Sequence, residues 1–129
     1  MELFYCFANA SLTQRVLIYL LRKMRSHLAC VTVIFLDDRW IMRLVLRPAV
    51  ATEQYRNSLA VLNENGIPYS PAPVIASVFH DLNRGSGVTA VMNRYRIAIV
   101  SHGTPNLAEV AHFQEQFIAG LGYRPQSLA

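Results

Sequence analysis

Apolar positions near the start of the chain change from a continuous run to a helical spacing. The opening stretch MELFYCFA is a short apolar run typical of a buried strand rather than of a secretory signal. From Ser11 onward apolar residues recur every three or four positions, as in an amphipathic helix. Ser11 and Gln14 have the spacing of a capping box. The predicted helix carries the stripe Leu12, Val16, Leu20, Met24 and Leu28.

The next apolar stretches predict a β-hairpin. Residues 28–35 are rich in β-branched side chains, and the run WIMRLVL occupies 40–46. The polar pair Asp37-Asp38 lies between the two runs and is typical of a turn. Because side chains alternate along a strand, Arg43 should lie on the face opposite to its apolar neighbours.

The second half of the chain alternates helical and strand-like patterns. Gly66 is placed to end a helix. Three prolines precede or begin the run APVIASVF, which predicts an edge or irregular strand. The predicted elements are a helix over 52–65, a strand over 72–79, a short helix through Val91, a strand over 95–101 and a last helix opened by Thr104-Pro105.

This order of elements defines a fold class. The first six elements follow the order β-α-β-β-α-β, which is that of a split βαβ sandwich. We therefore predict an α+β, ferredoxin-like domain with an additional C-terminal strand and helix. No linker or low-complexity segment interrupts the chain, so residues 1–129 are expected to form one domain, with its core in 1–79 and an extension in 80–129.

Two segments also resemble a known type of module. The stretch FANASLTQRVLIYLLRKMRSHLACVTVIFLDDRWIMRLVL is similar to the first strand, helix and hairpin of ACT-type regulatory modules, and LNENGIPYSPAPVIA resembles their second helix and fourth strand. The resemblance covers about the first eighty residues. It implies that an amino acid or another small effector binds at Asn9, Ala10 and Ser11, at a subunit interface. The family has a glycine turn where this chain has Ala10-Ser11.

The composition of the chain indicates that it self-associates. Apolar residues make up 53% of the chain and charged residues 16%, against about 25% charged in an average domain. The predicted strand at 28–36 is apolar on both faces and would form a sheet edge. These features favour a homodimer or higher oligomer joined through that strand.

Other broad classes find no support in the sequence. No apolar run approaches the roughly 18 residues of a membrane span, so we expect a cytoplasmic protein without a membrane partner. The chain has two cysteines, Cys6 and Cys30, which we predict to be reduced because the first and second strands that carry them are not neighbours in a ferredoxin-like sheet. The histidines show no metal-ligand spacing, and we predict neither a metal nor another cofactor.

The segment HDLNRGSGVTAV, residues 80–91, offers a second candidate site. Glycines let the backbone approach a ligand closely, and N–H groups opening a helix can hold an anion. The candidate residues for a small anionic ligand are Arg84, Gly85, Ser86 and Gly87. The spacing matches neither a phosphate loop nor a dinucleotide fingerprint, and a turn capped by Ser86 is the favoured explanation of the glycines.

Two alternatives to a non-catalytic, ligand-binding regulatory protein remain open. The first is a small cofactor-independent enzyme acting on a phosphorylated or acidic substrate with His80, Asp81, and Ser86 or Arg84, although no complete catalytic set is present. The second is nucleic-acid association, which is not favoured because no aromatic residues interleave with the basic ones. Its candidate residues are Arg15, Arg22, Lys23, Arg25, Arg39 and Arg43.

Overall fold

The computed structural model describes residues 1–104 and residue 108. Its five strands are β1 (Glu2–Phe7), β2 (Leu28–Leu36), β3 (Arg39–Leu46), β4 (Ile67–Pro68) and β5 (Ala98–Gly103). Its four α-helices are α1 (Ala10–Lys23), α2 (Thr52–Asn65), α3 (Pro73–Asn83) and α4 (Val88–Tyr95), and a 3₁₀ turn at Arg25–His27 joins α1 to β2.

The strands form one antiparallel sheet in the order β4-β1-β3-β2-β5. Within it, β4-β1-β3-β2 is the arrangement of a ferredoxin-like sandwich, and β5 is added beside β2. The α+β, ferredoxin-like prediction is confirmed. The sheet places β1 next to β3 and β4, two strands away from β2, and both Cys6 and Cys30 are free thiols, as predicted.

The hairpin between β2 and β3 forms at the predicted place. Leu36 pairs with Arg39, which leaves Asp37 and Asp38 as a two-residue turn. Both aspartates have positive φ, 53° and 60°. Two successive left-handed residues are the signature of the turn whose twist matches that of paired strands, and aspartate tolerates this conformation well.

Helices cover both faces of the sheet. One core joins the face of β3 that carries Met42 to α1 and α2, and a second core joins the face that carries Ile41 to α3 and α4. The second layer takes up apolar surface that a two-layer sandwich would expose. Among the described residues the exposed large apolar side chains are Met1, Ile67 and Val74.

The expectation that β2 forms a free edge is wrong. Strand β5 pairs with it from Val31 to Phe35, and both of its faces lie against helices. The apolar residues of β2 are therefore covered within one chain, and the physical reason given above for a dimer at this strand disappears. Self-association itself stays a prediction, which light scattering at micromolar concentration measures.

Helix α1 begins differently from the capping-box prediction. Its N-cap is Asn9, whose Oδ1 accepts a hydrogen bond of 2.8 Å from the Leu12 backbone N–H. Ser11 lies inside the first turn. Asparagine is as good an N-cap as serine, and capping from Asn9 lets Ala10 be buried at the first helical position.

The predicted strand over 72–79 is wrong, since residues 73–79 lie in α3 and Ala72 is its N-cap. The buried side chains of α3 are Ile75, Val78, Phe79 and Leu82, which recur at the spacing of one helical face. Pro73 occupies the first turn, where the missing N–H costs nothing. The fourth strand of the sheet is instead the two-residue β4.

The elements after α3 are displaced from their predicted bounds. Helix α4 runs to Tyr95, beyond the short helix predicted to end at Val91, so the last strand begins at Ala98 rather than at 95. The predicted boundary between residues 79 and 80 falls within α3. The predicted C-terminal helix lies outside the described residues apart from Ala108. In the described part of the chain, no helix has the length and apolar character needed to cross a membrane.

Candidate functional site

A cavity of about 450 Å³ opens at the end of β1. It lies where β1 ends, β3 begins and α2 passes into β4, and its volume falls in the range of about 300–1,000 Å³ usual for small-molecule sites. The apolar part of the lining comes from Cys6, Phe7 and Ile67. The polar part comes from Arg39, Glu64 and Asn65.

The cavity has one side chain of each charge at its rim. Arg39 is the first residue of β3 and Glu64 lies in the last turn of α2, and both are exposed. A guanidinium binds carboxylates through two parallel hydrogen bonds, while a carboxylate binds ammonium groups. A cavity lined by apolar groups together with Arg39 and Glu64 therefore suits a small molecule that carries both an acidic and a basic group.

Asn65 is held in place by hydrogen bonds on both sides of its amide. Its Nδ2 donates to the carbonyl of Val61 at 2.7 Å, and its Oδ1 accepts from Nη1 of Arg15 at 3.2 Å. These bonds tie the end of α2 to α1 and fix the orientation of the amide beside the cavity. They also engage Arg15, which sequence reasoning had considered only as a surface cation.

Gly66 brings α2 and β1 into close approach. A methyl group built on its Cα would lie 2.6 Å from the carbonyl oxygen of Cys6 and 2.6 Å from the ring of Phe7. The backbone of Gly66 is extended, with φ of −156°, so its role is steric and not conformational. Only a residue without a side chain lets the chain turn into β4 here.

The cavity adjoins the loop that the resemblance to ACT-type modules marked as a ligand site. Ala8, the residue before Asn9, forms part of its lining. Asn9 uses its side chain as the helix cap, Ala10 is buried and Ser11 is exposed. The predicted residues are thus near the cavity, but other segments supply its charged groups.

The second predicted segment, 84–87, forms a helix terminus. Gly85, with φ of 92°, donates from its N–H to Leu82 O at 3.1 Å, and the N–H of Ser86 donates to Asp81 O at 3.0 Å. This is the Schellman arrangement that ends helices at a left-handed glycine. Gly87 then serves as the N-cap of α4. The N–H groups of Gly85 and Ser86 are therefore occupied by α3, and anion binding at this loop stays a prediction that would depend on the Arg84 side chain.

Replacing Gly85 or Gly87 with serine should change the stability of the protein in opposite directions. Gly85→Ser forces a side chain into the left-handed region and should cost about 1–2 kcal/mol. Gly87, with φ of −67°, has an ordinary backbone and no atom near its missing Cβ. Gly87→Ser adds an N-cap hydroxyl and should stabilise by roughly a few tenths of a kcal/mol. Urea denaturation measures both, and an equal loss at the two positions would contradict the assignment of the cap.

The carboxylate of Asp81 is hydrogen-bonded to residues of α4 and not to His80. Its Oδ2 accepts hydrogen bonds from Nη1 of Arg94 at 2.6 Å and from the hydroxyl of Tyr95 at 2.7 Å, and its side chain is 14% exposed. The hydrogen bond from Tyr95, followed by that from Arg94, lowers the pKa of the Asp81 carboxyl below its ordinary value. His80 is exposed. The acid–base pair required by the enzyme hypothesis is thus replaced by a link between α3 and α4.

The Asp81 link should make stability depend on acid pH. Because folding lowers the pKa of Asp81, its stabilisation is present above the ordinary carboxyl pKa and is lost as the pH falls through the lower, folded-state value. The difference in unfolding free energy between the wild type and Asp81→Asn should therefore shrink from about pH 6 to pH 2. Tyr95→Phe keeps Arg94 as a donor and should retain part of this dependence. A difference that does not vary with pH would contradict the carboxylate's role.

The predicted basic residues do not form one surface. Arg43 is buried, and its Nε donates to Oε2 of Glu2 at 2.7 Å. Arg15 donates to Asn65, as described above, and Arg39 lies at the cavity. Arg22 and Lys23 remain as exposed residues at the end of α1, with Arg25 beyond them. This dispersal gives no continuous track for a phosphate backbone.

Sequence reasoning missed several residues that the fold brings together. No group of three or more potential metal ligands occurs among residues 1–104. Cys30, Thr32 and His102, however, meet on one face of the sheet, although His102 is 72 residues from Cys30. The alternation of Cys30 and Thr32 along a strand was a signal that they share a face. The contribution of Glu64 to the cavity had no local signal.

Comparison with known proteins identifies relatives of the fold. The C-terminal domain of YpbH is 16% identical, with a TM-score of 0.53 over 90% of this chain and 98% of that domain. The C-terminal domain of MecA is 11% identical, with a TM-score of 0.56 over 88% of this chain and 98% of that domain. The likeness is one of fold. No protein-family model and no curated protein sequence matches the chain.

Proposed function

We propose that this chain is a non-catalytic binding domain with a regulatory role, and that its ligand is a small molecule of the amino-acid class. The observation that carries the proposal is the cavity at the end of β1, whose lining combines Arg39 and Glu64 with apolar residues. Arg39 binds the ligand's carboxylate and Glu64 its ammonium group, while the exposed Ala8 and Ile67 contact its apolar part.

The resemblance to ACT-type modules supports the same location. Such modules are expected to bind an amino acid at the loop after the first strand, and the cavity adjoins that loop through Ala8. The ligand occupies the side of that loop which faces the end of α2 and the start of β3, because α2 contributes Glu64 and Asn65 and β3 contributes Arg39.

Thermal unfolding in the presence of individual amino acids tests the proposal. A ligand that binds only the folded state stabilises it by about 2.7 kcal/mol at a concentration of 100 Kd. We expect one class of amino acid to raise the melting temperature. Its decarboxylated amine and its N-acetyl derivative should both bind more weakly, since each lacks one of the two charged groups.

Matched variants place the ligand in the cavity. Arg39→Ala and Glu64→Ala should each weaken binding by about tenfold or more, because each removes a charged hydrogen-bond partner. Arg47→Ala and Glu53→Ala remove the same charges at exposed positions outside the cavity and should leave the affinity unchanged. If no amino acid shifts the melting temperature at millimolar concentration, or if the control variants lose binding equally, the proposal fails.

A further inference from the structure

Three side chains that can exchange protons with one another meet on the sheet, away from the cavity. Thr32 Oγ1 lies 2.7 Å from Nδ1 of His102, and Sγ of Cys30 lies 3.9 Å from each of these atoms. Thr32 is fully buried, whereas Cys30 and His102 are half-buried. The thiol therefore has an imidazole nitrogen within reach and remains partly open to solvent.

The pairing of β2 with β5 creates this cluster. Thr32 lies directly opposite His102 in the antiparallel register, and Cys30 precedes Thr32 by two residues, so all three side chains project from one face. The short contact with the Thr32 hydroxyl orients the imidazole so that Nδ1 is the nitrogen nearest the sulfur. The thiol, the Thr32 hydroxyl and the imidazole thus form a chain along which a proton can move from the nucleophile to a base.

We propose that Cys30 is a reactive thiol, activated by His102, that forms mixed disulfides with low-molecular-weight disulfides. The thiolate is the nucleophilic form of cysteine, and a neighbouring imidazole that takes up the thiol proton increases its population. Thr32 connects the two groups, since its hydroxyl contacts both Sγ of Cys30 and Nδ1 of His102 and can relay the proton between them. The modification attaches a small thiol to the sheet face beside β5.

The reaction is a thiol–disulfide exchange in which the disulfide itself is the oxidant. The proton of Cys30 passes to Oγ1 of Thr32 while the hydroxyl proton of Thr32 passes to Nδ1 of His102, and the Cys30 thiolate attacks one sulfur of the disulfide. A new S–S bond forms to Cys30 while the original S–S bond breaks. The departing thiolate takes the proton back from His102 and leaves as a free thiol, so that Cys30 is oxidised and the leaving half of the reagent is reduced.

The second cysteine provides an internal comparison. Cys6 is 4% exposed in the core of the sheet, and the described residues offer it no comparable side-chain hydrogen bond. Exchange requires the attacking sulfur to reach a disulfide in solution, so burial in the folded protein should lower the rate of exchange at Cys6. At Cys30 the fold should instead raise the rate of exchange. Partial burial alone would lower that rate, so an increase would have to come from activation of the thiol.

Peptide mapping by mass spectrometry, after timed exposure of the full chain to oxidised glutathione, measures both cysteines separately. We expect Cys30 in the folded protein to react about tenfold or more faster than the same residue in the urea-unfolded chain. Cys6 should react more slowly folded than unfolded. A Cys30 rate that is no higher in the folded state than in the unfolded state would overturn the proposal.

Variants of the neighbouring residues distinguish activation of Cys30 from its mere exposure to solvent. His102→Gln should lower the Cys30 rate about tenfold in the folded protein but leave it unchanged in urea. Thr32→Val should lower the folded rate, and Thr32→Ser, which retains the hydroxyl, should restore it. His80→Gln removes an exposed histidine of α3 and should have no effect. If circular dichroism shows that His102→Gln does not fold, the comparison of Thr32→Val with Thr32→Ser tests the proposal instead. Equal rates in Thr32→Val, Thr32→Ser and the wild type would contradict the proposed arrangement.

Discussion

Replacing Arg43 with alanine should lower the free energy of unfolding by about 2–4 kcal/mol. Arg43 lies in the middle of β3, the central strand, and is 5% exposed. Its Nε donates to Glu2 at 2.7 Å and its Nη2 donates to Oδ1 of Asn83 at 2.8 Å. The guanidinium also lies 5.1 Å from the ring centre of Phe79. Alanine loses all three contacts and leaves a void between the sheet and α3.

Arg43→Met is the matched control for this loss. Methionine retains much of the volume of the side chain and removes the charge, and the Glu2 carboxylate left behind is 45% exposed, so water can solvate it. We expect it to lose less than half as much stability as alanine. Urea denaturation curves give both values from their midpoints. An Arg43→Ala variant within about 0.5 kcal/mol of the wild type would show that the sheet and α3 do not depend on this side chain.

Gly66→Ala should destabilise the protein by about 1–3 kcal/mol. The added methyl group would lie 2.6 Å from the backbone oxygen of Cys6, which cannot move without displacing β1. Because β1 pairs with both β3 and β4, that displacement would strain two strand pairings. The same methyl group would intrude on the wall of the cavity, so the variant should also bind the proposed ligand more weakly.

Gly87→Ala is the control for Gly66→Ala. It makes the same chemical change at a position with an ordinary φ and no atom within 4 Å of the new methyl group. We expect its stability to lie within about 0.5 kcal/mol of the wild type. Thermal and urea unfolding compare the two variants directly. Equal stabilities would mean that α2 and β1 separate easily, and would count against a rigid cavity wall.

The elements predicted correctly are those whose signals lie within a short window of residues. The stripe containing Val16 and Leu20, the turn at Asp37-Asp38 and the glycine after α2 are local patterns, and they yielded α1, the hairpin and α2. The error at α3 was also local. Ile75, Val78 and Phe79 fit a short apolar strand, and only Leu82 completes a helical face; the prolines before them suit either interpretation.

Local patterns were enough to predict α1, the hairpin with its polar turn and α2, because backbone propensity and periodicity act between near neighbours. The ferredoxin-like class was also predicted, although the strand assigned to its fourth position lies in α3. No local signal predicted the two-residue β4, the pairing of β5 with the edge of β2, or the second core beneath α3 and α4. Pairings of this kind depend on which exposed edges and apolar faces remain once the local elements have formed. For the same reason Cys30 meets His102, and Arg39 and Glu64 come to line one cavity, only in the folded chain.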